Sequence, residues 1–416
     1  MRHEVVLVVT EDRTGVARIP RLLHDAECRV TVLGNPKAPV RWSRYVNRFI
    51  ECPPAGRLLI PRLRKLLDAL YPVVPFVILA DENALAAAGE YSSEKWIQDI
   101  FPVDLKGRGK DVILRKTSFM SAMLAAGVPV PPVRICRTLG EAMAAKDELR
   151  FPLFMKRDID CAGAGVRQIM DATEIPAAFS KLSDQGPVVI QQMIHGQIGK
   201  TSGLFKRGRP MCFASAYAIK SWPRFGPSAV RQYLCHPRLE ELARKIGEAT
   251  GFNGLCGFDW IHDSESGEFI VIEFNGRLIS NYHLGHHVGI DYPRALNDFL
   301  CGRFSEQRPY LLPGVHPVIH MFPQDIRRCI TDRDMLGLLK WMVGGVTNDI
   351  PWSDANLILF FCTDFIRLGY ERLRRFIRRN MRRVTAPSAA APRQRRSLFT
   401  ISSGEKRLRL MTFILL

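Results

Sequence analysis

Apolar runs and amphipathic stretches alternate along the first hundred residues. The opening run at 4–10 is almost entirely apolar and is typical of a buried strand. It is followed by a helical pattern at 17–26, a strand at 29–33, a helix at 58–70 and a strand at 76–80. Because strands that alternate with helices favour a parallel sheet, the first 105 or so residues are predicted to form an α/β domain.

The turn after the first strand does not carry a dinucleotide-binding pattern. Residues 10–15 read Thr-Glu-Asp-Arg-Thr-Gly and lack Gly-x-Gly-x-x-Gly. A classical dinucleotide site is therefore not expected in this domain.

A second group of elements extends to about residue 302. The pattern predicts helices at 116–126, 139–149 and 239–250, and strands at 151–156 and 188–194. A loop rich in Ala and Gly follows the strand that ends at Lys156. Beyond residue 302 the periodicity weakens, and 355–379 is predicted to be an amphipathic helix with a strongly basic face.

Residues 257–277 form the most informative stretch. Two apolar strands, 258–262 and 269–274, flank the turn residues Ser-Glu-Ser-Gly, so the stretch is predicted to be a β-hairpin. Glu273 and Asn275 are two residues apart and therefore face the same side of their strand. The hairpin can place Asp259 beside them.

The chemistry of this hairpin suits a hard metal ion. Two carboxylates and an amide oxygen are the ligands that Mg²⁺ takes when it also holds phosphates. Arg277 shares the same face if the strand continues that far, and could then contact an anionic group. Acidic residues near a hairpin can equally be solvated surface groups, and the hairpin alone does not separate these two interpretations.

The charge of the chain is concentrated near its end. The formal net charge is +18, from 59 Lys and Arg against 41 Asp and Glu. From Arg367 to Arg409 there are about fourteen basic and two acidic residues, which is most of the excess. Residues 385–416 are predicted to be a disordered basic tail, and an anionic membrane surface is a second interpretation.

The sequence also bears on the compartment. No apolar run approaches the ~20 residues that span a bilayer, and the N-terminus has no signal-peptide pattern. The ten cysteines form no Cys-x-x-Cys pair, so a zinc ribbon is not indicated. Reduced thiols and a cytoplasmic location are expected.

Two lysines are candidates for binding phosphate. Lys156 ends a strand and is followed closely by Gly163-Ala-Gly165, whose small residues would let backbone N–H groups approach phosphate oxygens. Lys116 stands near a predicted helix start. Either lysine alone could be an ordinary surface residue, and their order along the chain is what makes them informative.

That order resembles a known family. The segments RKTSFMSAMLAAGVPVPPV, FPLFMKRDIDCAGAGV, VVIQQMIHGQ and GFDWIHDSESGEFIVIEFNGR are similar, in this sequence of motifs, to those of the ATP-grasp superfamily of ATP-dependent carboxylate–amine ligases. The resemblance covers roughly residues 110–302. It implies a Rossmann-like pre-ATP-grasp α/β domain at 1–105, an ATP-grasp domain at 106–302 with lobes at 106–195 and 196–302, and a C-terminal extension at 303–384.

The resemblance also implies site residues. Lys116 and Lys156 would bind ATP phosphates under a glycine loop, and Arg277 would lie near the acyl phosphate, assisted by Arg231. The implied nucleotide contacts are Lys116, Lys156, Gly163, Gly165, Gln191, Gln192, Ile194 and Gln197. The implied ligands of Mg²⁺, with Mn²⁺ as a substitute, are Asp259, Glu273 and Asn275.

The chain departs from the family pattern at several positions. Arg157 replaces the proline that often follows the second lysine, and Gln192 replaces a hinge glutamate. Gln197 and Ile198 offer no carboxylate for the ribose, so the ribose contact is left open. Gly276 takes the proline position of the metal motif, which leaves every reactive side chain in place.

The acceptor side of the site is less well defined. Lys220, Arg224 and Arg231 surround a loop that resembles the acceptor loop of the family and could bind a substrate carboxylate or phosphate; a basic surface loop is the alternative. His283, His286 and His287 suggest zinc by spacing, but the neighbouring oxygen ligands suit Mg²⁺ better.

The implied function is an ADP-forming ligase that joins a small-molecule carboxylate to an amine. The alternatives are a carboxylase or kinase on the same fold, a non-catalytic ATP-binding protein, and a protein that binds membrane or nucleic acid through its basic tail. No specific nucleic-acid partner is expected. The identity of the acid and amine and the oligomeric state stay open, with a homodimer as one option.

Overall fold

A computed structural model describes residues 2–12, 14–53, 58–107, 109–159, 165–223, 226–367 and 374. The chain divides into two compact units, Met1–Thr363 and Asp364–Leu416. All the elements described below belong to the first unit, except the end of a helix at 355–367. The predicted tail at 385–416, Gly163 and Arg224 lie outside the described residues.

The β-strands are bounded as follows: β1 His3–Val9, β2 Cys28–Gly34, β3 Arg48–Glu51, β4 Phe76–Leu79, β5 Val133–Cys136, β6 Leu153–Arg157, β7 Val166–Ile169, β8 Val188–Gln192, β9 Gly196–Lys206, β10 Arg209–Ser221, β11 Ser228–Leu234, β12 Gly254–Asp263, β13 Phe269–Asn275 and β14 Val318–His320. The α-helices are α1 Ile19–Asp25, α2 Leu59–Leu70, α3 Glu82–Glu90, α4 Lys95–Ile100, α5 Gly109–Leu114, α6 Lys116–Ala125, α7 Leu139–Ala144, α8 Ile175–Leu182, α9 Pro237–Thr250, α10 Tyr292–Leu300, α11 Gln324–Asp332 and α12 Met335–Met342.

The first sheet confirms the predicted parallel α/β arrangement. Its strand order is β3-β2-β1-β4, with parallel pairing throughout. The apolar β1 is buried on both faces, as a central parallel strand must be. The sequence reading missed β3, which is short and has only partly buried or exposed residues.

Two further sheets follow. A four-stranded antiparallel sheet has the order β5-β8-β6-β7, and a six-stranded sheet has the order β13-β12-β9-β10-β11-β14. Strand β14 lies beyond residue 302 yet pairs with β11 and completes the larger sheet. The domain boundaries inferred from the sequence stay predictions.

The register of the large sheet places one row of side chains across it. Glu273 lies opposite Asp259, Asp259 opposite Lys200, Lys200 opposite Ala216, and Ala216 opposite Tyr233. Directly paired residues of neighbouring strands point to the same face, so this row crosses a single surface. The same face carries the hydrophobic core that packs under the first sheet.

Residues after 302 pack against the N-terminal sheet region, although their sequence pattern is weak. Asp349 is fully buried and forms an ion pair with Arg18 at 2.6 Å. Asp354 accepts a hydrogen bond from the hydroxyl of Ser43 at 2.5 Å. The predicted helix at 355–379 is present from 355 to 367, and its remainder lies almost entirely outside the described residues.

Helix α12 has an exposed apolar stripe. Met335, Leu336, Leu339, Met342 and Val343 recur at helical spacing, and Met342 is 82% exposed. The opposite side of the helix is anchored, because the Trp341 indole donates to the buried Asp325 at 2.8 Å. Within the described residues, no helix is both long and apolar enough to cross a membrane.

Candidate functional site

A cavity of about 500 Å³ lies between strand β13 of the hairpin, the helices α3, α5 and α6, and the strands β6 and β8. Its lining brings together six of the residues singled out in the sequence. They are Lys116, Lys156, Gln191, Glu273, Asn275 and Arg277. These side chains are spread over about 160 positions of the chain, so their convergence is a property of the fold.

Lys156 is held in a desolvated position at the end of β6. Burial lowers the pKa of Lys156, and the charge of Lys116 acts in the same direction, while Glu273 and Asp259 oppose both. These four charged groups are therefore within electrostatic reach of one another. A lysine kept in such surroundings gains most when an anion arrives to pair with it.

Lys116 is positioned by a buried carboxylate. Its backbone N–H donates to the carbonyl of Asp158 at 3.0 Å. The Asp158 side chain accepts hydrogen bonds from the backbone and hydroxyl of Thr117, at 2.9 and 2.8 Å, and from Arg115. The residue just after β6 thereby fixes the start of α6, which brings the two lysines together.

The predicted hairpin is confirmed. Strands β12 and β13 pair antiparallel, with Asp259 opposite Glu273 and Gly257 opposite Asn275. The Asn275 amide donates through Nδ2 to Asp259 at 3.3 Å, which leaves its oxygen as an acceptor. A register irregularity after Asp259 interrupts the pairing at this point.

Lys200 lies beside the carboxylate of Asp259, and the sequence analysis did not predict it as a site residue. Its Nζ lies 2.5 Å from the Asp259 carboxylate, across the strand pair β9–β12. Nothing in the local sequence marks it, because the strand β9 was itself not predicted. Lys200 neutralises the carboxylate that a divalent cation would otherwise hold.

The oxygen set fits Mg²⁺ by its chemistry. Glu273 and Asn275 line the cavity, and Asp259 lies opposite Glu273 on the neighbouring strand. Two carboxylates and an amide oxygen suit an ion that keeps waters and takes phosphate oxygens as further ligands. Among the described residues, no group of three or more His, Cys, Asp and Glu side chains could hold a metal. The three histidines at 283–287 thus do not form a zinc site with such neighbours.

Arg277 reaches the cavity by a route other than the predicted one. Strand β13 ends at Asn275, so strand alternation does not set the direction of Arg277. Its guanidinium instead pairs with Glu82 of α3 at 2.5 Å. Burial acts to lower the pKa of Arg277, but Glu82, Glu11 and Glu273 outweigh it and leave the pKa raised.

Glu82 is a second residue that the sequence reading did not select. It is the first residue of α3, and the preceding Asp81 accepts hydrogen bonds from Thr10, Glu11 and Ala84 at 2.6 to 3.2 Å. The polar run Asp-Glu-Asn at the end of β4 was the available signal. Carboxyl ends of parallel strands are common ligand sites.

The predicted adenine strand is shorter than expected and ends at Gln192. Gln191 is buried, donates to the sulfur of Met120 and lines the cavity. Gln192 accepts from the backbone of Arg150 through its side chain, and neither Gln192 nor Ile194 is part of the cavity lining. Gln197 lies outside the cavity and donates to the carbonyl of Ala218 at 2.7 Å.

Gly165 is described and closes β6 by accepting a hydrogen bond from Arg157 at 2.9 Å. Gly163 and most of the glycine loop are among the undescribed residues 160–164. That the glycine loop closes over the ATP phosphates therefore stays a prediction.

Arg231 lies apart from the cavity. It is on β11, is 5% exposed, and does not contribute to the lining. Its Nε and Nη1 atoms have no hydrogen-bond acceptor among the described residues. Lys220 is nearer the surface and approaches Asp334 at 3.6 Å.

Comparison with known proteins identifies the fold. No protein-family model matches the chain. Acetyl-CoA carboxylase 2 of Oryza sativa subsp. japonica is 23% identical over 155 residues, which are 34% of this chain and 6% of that protein. The large chain of carbamoyl phosphate synthase from Pasteurella multocida is 24% identical over 263 residues, 58% of this chain and 22% of that protein. The chain thus matches only a minor part of these relatives.

Solved structures match over more of the chain. N5-carboxyaminoimidazole synthetase from Staphylococcus aureus, complexed with ADP, has a TM-score of 0.60 at 14% identity, covering 76% of this chain and 82% of that one. L-amino acid ligase from Bacillus licheniformis has a TM-score of 0.54 at 17% identity, covering 72% and 75%. The ATP-grasp fold that the sequence motifs implied is confirmed.

Proposed function

We propose that the protein is an ADP-forming, ATP-dependent ligase that activates a small-molecule carboxylate as an acyl phosphate and joins it to an amine. The observation that supports this most is the convergence of two lysines, two metal-type oxygen ligands and Arg277 on one cavity. A cavity of about 500 Å³ is in the range of small-ligand sites.

The nucleotide would lie between β8 and the hairpin. Lys116 and Lys156 would neutralise the α- and β-phosphates, and the loop with Gly163 and Gly165 would close over the γ-phosphate. Gln191, the Gln192 carbonyl and the Ile194 N–H would contact adenine. Gln197 is the remaining candidate for the ribose.

Asp259, Glu273 and Asn275 would hold Mg²⁺, or Mn²⁺ in its place. The ion would offset negative charge on the phosphates. Lys200 already balances Asp259, so it would have to exchange its partner when the ion binds.

The chain's own residues then account for both chemical steps. A substrate carboxylate would attack the γ-phosphorus with release of ADP, and the amine would displace phosphate from the resulting acyl phosphate. Arg277 would stabilise the oxyanion that develops at the carbonyl. Arg231 was expected to assist Arg277, but it lies outside the cavity.

The test is ADP release with a panel of carboxylates and amines, combined with calorimetry of Mg-ATP binding. A folded protein that does not bind Mg-ATP would contradict the proposal. A Glu273→Gln variant with full turnover would contradict the metal assignment alone. The matched control is Glu265→Gln, an exposed residue in the turn of the same hairpin.

A carboxylase is the second candidate. Its support is the similarity to acetyl-CoA carboxylases and, among solved structures, to a biotin carboxylase from Campylobacter jejuni, with a TM-score of 0.56 at 16% identity. ADP release that depends on bicarbonate and not on an amine would favour this candidate.

We also infer a cytoplasmic location and a contact with anionic membrane. Nine cysteines are free among the described residues, which suits a reducing compartment. The support for a membrane contact is the segment from residue 364 onward, which carries about eleven net positive charges. Separately, the apolar stripe of α12 is an exposed surface that could enter a lipid interface.

A further inference from the structure

The cavity continues along the helices α3 and α5, beyond the residues assigned to the nucleotide and the metal. On α5 its lining is formed by residues 110–114. On α3 the lining residues recur at helical spacing, which places them on one face of the helix: Glu82, Leu85, Ala86, Gly89 and Glu90. We call this part of the cavity the α3–α5 arm, and nothing in the proposed function occupies it.

The arm is separated from the proposed adenine end of the cavity by Lys116. Along α5 and α6 the lining begins beside Gly89, where an added Cβ would lie 3.1 Å from the side chain of Leu114. It continues through Lys116 to Met120, whose sulfur accepts a hydrogen bond from Gln191 at the adenine end. The other residues implied for the base and the ribose do not line the cavity. A bound nucleotide would therefore leave the arm open.

The two parts of the cavity differ in charge. The phosphate part has three cationic side chains and one carboxylate: Lys116, Lys156, Arg277 and Glu273. The arm has three carboxylates and one cationic side chain: Glu82, Glu90, Asp111 and Lys110. An anionic ligand is favoured in the phosphate part, whereas the arm favours a cationic one.

Glu82 is the carboxylate at the inner end of the arm. Its Oε1 atom lies 2.5 Å from Arg277, and its Oε2 atom finds no donor among the described residues. Because a carboxylate has about four acceptor sites, Glu82 can serve a second cationic donor. A ligand ammonium group at Oε2 would lie next to the side chain that is proposed to act at the acyl phosphate.

The arm is apolar between its charged ends. Leu85 and Ala86 of α3 and residues 113–114 of α5 line this stretch. Glu82 and Glu90 are eight residues apart on α3, which is roughly 12 Å along the helix axis. This length suits a short hydrocarbon chain, which is stabilised when its apolar surface leaves water.

We propose that the α3–α5 arm binds the amine substrate, and that this substrate is a primary amine with an apolar body and no carboxylate. Its ammonium group would bind Oε2 of Glu82, and its apolar body would lie along Leu85 and Ala86. A carboxylate on the amine would be disfavoured by the three carboxylates of the arm. The assignment rests on the proposed function in taking the cavity to be that of a ligase.

The experiment is calorimetry of the full chain saturated with Mg-ADP. The probes are isopentylamine, leucine and 4-methylpentanoate, which share one apolar body and carry an ammonium group, both charges or a carboxylate. Ala86→Leu fills the arm, and Glu82→Gln removes the charge while keeping the volume. The matched control is Ala125→Leu, at an exposed position at the end of α6 that does not line the cavity.

The parent and the Ala125→Leu control should bind isopentylamine, and should bind leucine at least about tenfold more weakly because of its carboxylate. No binding of 4-methylpentanoate is expected. Ala86→Leu and Glu82→Gln should each bind isopentylamine about tenfold more weakly, through lost space and a lost charged hydrogen bond. The affinity for Mg-ADP should be the same in all variants.

Three results would overturn the proposal: no binding of isopentylamine to the parent, tighter binding of leucine or 4-methylpentanoate than of isopentylamine, or unchanged isopentylamine affinity in Ala86→Leu. The comparison of the probes in the parent needs no variant, so it decides the question even if Ala86→Leu does not fold. A failure of Mg-ADP to bind is a different result. It contradicts the ligase function, and titration of the nucleotide-free protein with isopentylamine still tests the arm.

Discussion

The Arg277 guanidinium lies 2.5 Å from the Glu82 carboxylate, which joins the residue two positions after β13 to the first residue of α3. A residue of the N-terminal sheet region thereby orients a side chain proposed to act at the acyl phosphate. In Glu82→Gln the orientation is weakened but the residue volume is kept. We expect about 1 kcal/mol lower stability, because the pair is only partly exposed, and a roughly tenfold lower rate of ADP release with unchanged Mg-ATP affinity.

Denaturant unfolding measures the change in stability, and calorimetry measures the affinity for Mg-ATP. Glu94→Gln, an exposed residue just before α4 that does not line the cavity, is the control and should resemble the parent. A Glu82→Gln variant with normal turnover would show that Arg277 needs no partner on α3.

Lys200 and Asp259 make a second testable pair. Lys200→Met leaves the Asp259 carboxylate without its 2.5 Å partner, so the metal-free protein should lose about 1–3 kcal/mol of unfolding free energy. The freed carboxylate should bind Mn²⁺ several-fold more tightly, as measured by titration with electron paramagnetic resonance. Weaker Mn²⁺ binding in Lys200→Met would mean that Asp259 is not a ligand. Lys206→Met, on the same strand, is the control.

Replacing Lys156 should weaken the binding of Mg-ATP without lowering the stability of the nucleotide-free protein. Burial lowers its pKa, so its charged form is disfavoured in the folded protein. Lys156→Met should therefore unfold at the same or higher denaturant concentration without nucleotide, and should bind Mg-ATP at least tenfold more weakly. In the parent, affinity for Mg-ATP should decline at a lower alkaline pH than an ordinary lysine would give. Equal Mg-ATP affinity in parent and variant would remove Lys156 from the site.

The lowered pKa of His287 should make the stability of the protein depend on pH. Burial, aided by His286 and His283, lowers the pKa of His287 to about 4. The unfolded chain, with a pKa near 6.5, binds more protons between these values, so stability must fall as pH drops from about 6.5 to about 4. His287→Asn should flatten this slope, and His316→Asn, in an exposed connection, should not. Unfolding free energies at pH 7 and pH 5 measure it, and an unchanged slope in His287→Asn would contradict the assignment.

The stripe on α12 can be tested with vesicles of phosphatidylcholine and phosphatidylserine. The full chain should sediment with them at low salt, and a Leu336→Ser/Leu339→Ser/Met342→Ser variant should sediment markedly less. The matched control replaces three exposed apolar residues elsewhere, Val74, Leu124 and Tyr310, with serine. Equal loss in both triple variants, or no sedimentation of the parent, would rule out a specific role of α12.

Sequence periodicity was sufficient to predict the type of an element where the segment has a clear pattern of apolar and polar residues. The buried run of β1, the amphipathic α9 and the alternation of the hairpin all have the predicted type, because each is decided by local burial. Strand β9 was missed since its inward positions include Gly199 and Gly203, which take the place of bulky apolar residues. A Cβ at Gly199 would clash with the ring of Trp260, so the fold needs a residue that carries no strand signal.

The residues of the candidate site also fall into those that the sequence could predict and those that it could not. The proposed metal ligands Glu273 and Asn275 are two residues apart and could be paired from sequence alone. The partners Lys200 and Glu82 could not, because they reach the cavity only through pairing of strands that are distant in sequence. Likewise, no local pattern could indicate that the Nε and Nη1 atoms of Arg231 find no acceptor among the described residues, since that depends on what surrounds them.

The ion pair between Arg18 and Asp349 joins positions 331 residues apart. On a ribosome that adds roughly 5–20 residues each second, the first helix would wait tens of seconds for its partner to be made. During synthesis the N-terminal sheet is thus exposed without the strands and helices that later cover it. A gene fragment that stops near residue 302 should yield an aggregation-prone product, and chaperone demand in the cell should depend on how fast the last third of the message is translated.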